Sequence, residues 1–179
     1  MEYSSIVLGG GCFWCVEAIF SNIQGVIEVS PGYSGGKTDK ATYKQVCTGT
    51  TDHAEVVKIV FNPVLIDIVD LFSVFFSTHD PTTINRQGGD IGTQYKSVIF
   101  YNSEHQKQKA ELSLLAASQS GEFSGEIVTE VTELVEFFPA EGVHKNYYSK
   151  NREEGYCRVV IRPKLTKFRK EFNHLLRSL

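Results

Sequence analysis

The stretch that most constrains this chain lies close to its start. Ile6-Val7-Leu8 is a short apolar run with β-branched residues and reads as a buried strand. Phe13, Val16, Ala18, Ile19 and Phe20 recur at roughly helical spacing and read as a helix. Between them stand Gly9, Gly10 and Gly11, which turn the chain tightly without Cβ clashes and let the backbone approach a ligand. Cys12 is thereby placed at or just before the first turn of a helix. The unpaired N–H groups and positive dipole end found there favour a thiolate over a thiol. A free cysteine in such a turn is as often a small buried hydrophobe. Phe13 and Trp14 argue against that: two large aromatics directly after the cysteine cannot both face the core, so one or both stand in the mouth of the turn.

A chain of 179 residues is enough for one domain with a proper core, here residues 1–179. With 41% hydrophobic and 22% charged residues it has the composition of a soluble globular protein. A net charge of -3 supplies no electrostatic reason to expect nucleic acid or an anionic membrane as partner. Met1-Glu2-Tyr3 lacks the basic, then apolar, pattern of a signal peptide, and no apolar run is long enough to span a bilayer. Four cysteines are too few for a disulfide scaffold, so the expectation is a reducing cytoplasm with cysteine used for chemistry or packing; separately, a monomer is expected.

Along the chain, strands are expected at 25–30, 54–61, 97–101, 127–131, 134–138 and, before Pro163, at 159–161. Helices are expected at 42–49, 64–77, 104–119 with Ser103 as N-cap, and 164–179. Two strand-helix-strand halves predict an α+β sandwich, helices on a mostly antiparallel sheet. Glu55 stands at the start of a strand among apolar neighbours, where a carboxylate is ordinarily a solvated strand-end residue. Residues 78–95 form a long polar segment with little periodicity, and loops of that length inside a compact chain are usually functional.

Several of these segments resemble one family. Gly11-Cys12-Phe13-Trp14 followed by Glu17, the glycine-rich Gly32-Tyr33-Ser34-Gly35-Gly36, His79-Asp80-Pro81-Thr82, Asp90-x-Gly92-Thr93-Gln94-Tyr95, and Pro139-Ala140-Glu141-x-x-His144-x-x-Tyr147 are similar to motifs of the class A peptide methionine sulfoxide reductases. Ile91 stands where many members carry an arginine. The resemblance implies a ferredoxin-like two-layer sandwich: a mostly antiparallel mixed sheet, helices packed on it, and an irregular C-terminal region. It implies reduction of methionine S-sulfoxide, peptide-bound or free, as protein repair under oxidative stress. Cys12 is then the nucleophile and Glu55 a buried general acid, its pKa raised by apolar neighbours. Tyr43 and Tyr95 donate hydrogen bonds to the sulfoxide oxygen. Phe13 and Trp14 cup the methyl group, and Asp90 holds the amide side of the substrate or an ordered water. The partners implied are oxidised proteins, with thioredoxin or another dithiol as reductant and no bound cofactor or metal.

Oxygen transfer leaves Cys12 as a sulfenic acid that condenses with a nearby thiol. Cys157, in Gly155-Tyr156-Cys157, resembles a recycling cysteine in a mobile loop, although Arg158-Val159-Val160-Ile161 follows where a glycine-rich tail is usual. Cys157 is the preferred partner on the ground that Gly155 marks a movable segment; Cys15, in a Cys-x-x-Cys pair with Cys12, is the alternative. Cys47 is given no role. Three rival functions use the same residues: a general thiol-disulfide oxidoreductase built on Cys12 and Cys15, a zinc module using Cys12, Cys15, Cys47 and His53, and a module that only binds peptides bearing oxidised methionine.

Overall fold

Residue alternation along three central strands sorts the sheet into two faces. In the computed structural model, which describes residues 2–39 and 41–178, β1 (Ser4–Gly10) sends Ile6 and Leu8 to one face and Val7 to the other. β3 (Ala54–Phe61) sends Val57, Ile59 and Phe61 to the first face and Ala54 and Val56 to the second. Period-2 alternation therefore puts Glu55 on the same face as Val57 and Ile59. That face is the one the helices cover.

The helices are α1 (Phe13–Phe20), α2 (Tyr43–Cys47), α3 (Ile68–Thr78), α4 (Glu104–Gln119), α5 (Tyr147–Lys150) and α6 (Arg162–Glu171). Their apolar stripes meet the first face through fully buried Phe20, Phe72, Phe75 and Phe168, each worth roughly 1.5–3 kcal/mol of burial. The remaining strands are β2 (Val26–Ser34), the small hairpin of β4 (Arg86–Gln87) and β5 (Asp90–Ile91), β6 (Ser97–Tyr101), β7 (Glu130–Glu133) and β8 (Phe138–Pro139). The large sheet runs in the order β7-β6-β1-β3-β2-β8. Its four central strands are antiparallel throughout and, with α1 and α3 as crossovers, form two interleaved split β-α-β units. Among the described residues only the β6–β7 pair is parallel, so the sheet is mixed, as expected of this α+β class.

Several sequence-based boundaries move, each for a local reason. The expected strand at 159–161 is helical: residues 157–161 form a wide π-turn that runs into α6. Cys157, Ile161, Leu165 and Phe168 are its buried stripe, at helical spacing, while Val159 is 75% exposed. Three consecutive β-branched residues suggested a strand, but tertiary burial follows the helical period. The wide turn also accommodates Pro163, which cannot donate to the preceding turn. The final helix stops at Glu171 and gives way to a 3-10 turn at Asn173–Leu175; Leu179 lies outside the described residues. The helix expected from residue 64 begins at Ile68, because Asp67 caps it by accepting from Val69 N at 2.9 Å. Of the strands expected at 127–131 and 134–138, only Glu130–Glu133 and Phe138–Pro139 pair, with β6 and β2 respectively. Conversely, β2 continues through the glycine-rich Gly32–Ser34 read as loop, because Gly32, Tyr33 and Ser34 pair with β3.

Candidate active site

Antiparallel pairing of β1 with β3 brings the end of one strand beside the beginning of the other. The last paired residues are Leu8 and Val57, so the glycine turn after β1 and Glu55 at the start of β3 share one end of the sheet. Gly11 has φ +93, and a Cβ there would stand 2.6 Å from Gln87 Cγ. Glycine is thus required both by the left-handed backbone and by the close approach of the 78–95 segment. Cys12 follows as the N-cap of α1, its carbonyl accepting from Cys15 N at 3.1 Å.

The first N–H of α1 has no partner within the helix. Phe13 N donates it to Glu55 Oε2 at 3.1 Å. Glu55 is 1% exposed, and burial lifts its pKa to about 8, opposed by the Phe13 N–H and reinforced by the charges of Asp90 and Cys15. A carboxylate without a full counter-charge is costly away from water, so this group holds its proton near neutral pH. Burial likewise pushes the Cys12 thiol well above its ordinary pKa, with Cys15 and the Glu55 charge acting the same way. The thiolate expected from the helix terminus is therefore outweighed: an eight-residue helix whose first N–H is already used contributes less than desolvation removes.

Cys12, Trp14, Tyr43, Glu55, Asp90, Tyr95 and Tyr156 line one cavity of about 180 Å³. Burial raises the phenols of Tyr43 and Tyr95, with Cys47 adding to the first and Glu55 to the second, so both stay protonated donors. Of the residues expected in the site, Phe13 alone among the aromatics stays out of the cavity. It is fully buried and its ring packs on Tyr33, Tyr43 and His144, so only Trp14 stands in the mouth. Two larger clefts, about 450 and 470 Å³, gather no cysteine; chemistry, not volume, marks the site.

Tyr156 was not assigned from the sequence. Its hydroxyl donates to Asp90 Oδ2 at 2.5 Å and stands 3.8 Å from Cys15 Sγ. The only signal for it was its place beside Cys157. Cys157 itself is fully buried on the helical stretch and does not line the cavity. Gly155 and Tyr156 are helical too, so the movable segment expected around Cys157 is a helix start. Cys15 is also buried, but it lies one turn from Cys12 at the start of the same helix. Cys47 is exposed on α2. The zinc set does not converge: both His53 nitrogens are engaged, with Gly36 N and Thr38 O. Among the described residues no three His, Cys, Asp or Glu side chains are grouped to hold a metal.

Comparison with known proteins agrees with this geometry. The family model described as peptide methionine sulfoxide reductase matches residues 4–176. The chain is 51% identical to the peptide methionine sulfoxide reductase MsrA of Chromobacterium violaceum over 172 residues, 96% of this chain and 98% of that one. The fold matches methionine sulfoxide reductase A of Corynebacterium diphtheriae with a TM-score of 0.81 at 34% identity, over 85% of this chain and 76% of that one. It also matches the reduced form of Mxr1 from Saccharomyces cerevisiae with a TM-score of 0.80 at 33% identity, over 87% and 90% of the two chains. Mxr1 has been solved in complex with Trx2 as well; that form is 21% identical over 82% and 85% of the two chains, with a TM-score of 0.57, a likeness of fold alone. With the family model spanning nearly the whole chain and the strand-turn-helix cysteine facing a buried carboxyl, the protein belongs to the peptide methionine sulfoxide reductase family.

Proposed function

We propose that this chain reduces the S epimer of methionine sulfoxide, peptide-bound or free, with Cys12 as nucleophile and Glu55 as proton donor. The observation that carries the assignment of roles is the single cavity lined by a thiol, a protonated carboxyl, a second carboxyl at Asp90, three phenols and one indole. The sulfoxide oxygen lies toward Glu55, Tyr43 and Tyr95, which donate to it as it gains charge. The methyl lies against Trp14, where sulfur and its substituents gain from the aromatic face. Asp90, held by Tyr156, faces the amide side of the substrate.

The step balances without a cofactor. The oxygen leaves the sulfoxide sulfur and bonds to Cys12 Sγ. Cys12 is oxidised by two electrons to a sulfenic acid, and the sulfoxide is reduced by two electrons to the sulfide. Glu55 gives its proton to the oxygen, and the thiol proton of Cys12 restores it. Burial keeps both the Cys12 thiol and the Glu55 carboxyl protonated at rest, so the thiolate develops as the substrate oxygen takes up the Glu55 proton.

The direct test is turnover with dithiothreitol on the separated epimers. Oxygen, methyl and chain occupy three different walls around the sulfur, so the S epimer should turn over and the R epimer should not. Comparable rates on both would remove the placement of the methyl against Trp14.

For recycling, the geometry favours Cys15 over the Cys157 preferred from sequence. Two residues three apart at a helix start have Cα atoms roughly 5 Å apart, within disulfide range. Cys157 would have to leave a buried helical stripe to reach Cys12. Condensation of the Cys12 sulfenic acid with the Cys15 thiol forms the disulfide and releases water, and a thioredoxin-type dithiol reduces it by exchange. Support for a protein reductant of that kind comes from Mxr1, 33% identical in its reduced form and also solved in complex with Trx2. Cys15→Ser should reduce one equivalent of sulfoxide and then stall with thioredoxin, with dithiothreitol giving partial rescue. Cys157→Ser should keep most thioredoxin-coupled turnover. Mass spectrometry of the oxidised protein checks this: a Cys12–Cys157 linkage in place of Cys12–Cys15 would restore the first assignment.

A further inference from the structure

Trp14 is the wall for the substrate methyl, and an indole at a helix start has to be fixed by its neighbours. Tyr147 lies flat on it, ring centroids 3.7 Å apart and planes within 7°. Stacking of this kind sets the plane of the ring but lets it slide or turn within that plane. A directional bond removes that freedom. The Trp14 Nε1–H donates to His144 Nδ1 at 3.1 Å.

We propose that His144 is a positioning residue for the reduction: its imidazole accepts the Trp14 indole N–H and fixes the ring that walls the methyl site, an inference that rests on the placement of the methyl against Trp14. An indole nitrogen only donates, so Nδ1 must be the unprotonated nitrogen, with the hydrogen on Nε2. Burial lowers the pKa of His144, opposed by the Glu141 carboxylate, which keeps the ring neutral and Nδ1 free to accept. The imidazole does not line the cavity. It is 6% exposed and packs behind the cavity wall, its ring centroid 4.6 Å from Tyr43, 5.2 Å from Phe13 and 5.8 Å from Trp14.

The segment bearing His144 is tied on both sides, so it holds Trp14 rather than following it. On one side Glu141 accepts from Tyr43 N at 2.9 Å and from Tyr33 Oη at 3.0 Å. On the other, buried Glu17, on α1 itself, accepts from Asn146 N at 2.9 Å. Lys145 Nζ donates to Val29 O at 2.6 Å and so pins the segment to β2. One helix thus supplies both the indole and the anchor of its holder.

Trp14 is the chain's one tryptophan, so the indole N–H resonance reports this bond alone. In uniformly ¹⁵N-labelled wild type, a scalar coupling should appear between Trp14 Nε1 and His144 Nδ1 across the hydrogen bond. His144→Phe keeps the ring volume and removes the acceptor. It should raise the half-saturating sulfoxide concentration of the single-turnover reaction by about fivefold to tenfold, the scale of one lost buried hydrogen bond. The saturated rate should stay within about threefold of wild type, because the thiol and acid are untouched. His144→Gln, whose amide oxygen accepts, should return half-saturation to within about twofold of wild type. The absence of coupling in wild type, unchanged half-saturation in His144→Phe, or equal losses in both variants would each overturn the role. A wild type active on sulfoxide with His144→Phe unchanged removes only the role of His144; a wild type inactive on sulfoxide removes the reading beneath it.

Discussion

Cys12→Ser is expected to bring sulfoxide reduction to background, a loss on the order of 10⁴–10⁶-fold, as when an enzyme loses its nucleophile. The substitution replaces sulfur by oxygen at a buried N-cap whose side chain caps nothing, so the fold should be kept and thermal unfolding should be little changed. A hydroxyl cannot take the sulfoxide oxygen in a two-electron step, because no stable oxygen analogue of a sulfenic acid forms under these conditions. Cys15 is close but does not line the cavity, and its sulfur faces Tyr156, so it should not stand in for Cys12. The check is single-turnover conversion of peptide sulfoxide, with a sulfenic-acid-selective probe located by mass spectrometry. A sulfenic acid on Cys15 in this variant would move the nucleophile there.

Glu55→Gln is expected to lower the single-turnover rate by about 10²–10⁴-fold, the range for loss of one positioned acid. Glutamine keeps the shape and can still accept from Phe13 N, so the turn after β1 should hold. Retention of more than about a third of the wild-type rate would assign the proton to another residue. The pH dependence gives an independent signature. The Glu55 pKa lies at about 8, and in the proposed role the protonated form is the active one. The wild-type chemical step should therefore be level below pH 8 and fall as pH rises through it, while the Cys12 thiol titrates well above its ordinary range. In Glu55→Gln that falling limb should vanish. Stability follows the same sign. A carboxyl whose folded pKa is raised contributes fully below its unfolded pKa, and that contribution is lost as pH rises through about 8. Wild type should lose thermal stability between pH 5 and pH 9 relative to Glu55→Gln, and equal slopes for the two proteins would show that Glu55 is not buried neutral.

Local patterns in the chain were enough for the reactive turn. An apolar β-branched run before Cys12 and a helical stripe after it specify strand and helix through neighbours a few residues away, but the three glycines expected to make the turn divide: Gly9 and Gly10 complete β1, paired with Val98 and Ser97, and Gly11 alone turns the chain. The same locality made the α+β class and most elements legible, along with the resemblance of five separated motifs to one family. Where two local signals competed, the chain alone misled: Val159-Val160-Ile161 looks like a strand by composition and is helical by burial.

What only the tertiary structure decided is what depends on partners far away in the chain. Glu55 is a buried carboxyl rather than a solvated strand end because antiparallel pairing sets it under α1, where burial raises its pKa and Phe13 N, 42 residues away, donates to it. The ordinary expectation for a helix-terminal thiol failed at Cys12 for the same reason, since desolvation scales with what surrounds the group and not with its place on the helix. Phe13 and Trp14 are adjacent in sequence, yet one is core and the other wall, because successive helical residues point about 100° apart. Tyr156 and His144 reach Asp90 and Trp14 across 66 and 130 residues; no local pattern encodes such a contact, and only the packing of the C-terminal segments against β5 and α1 creates it.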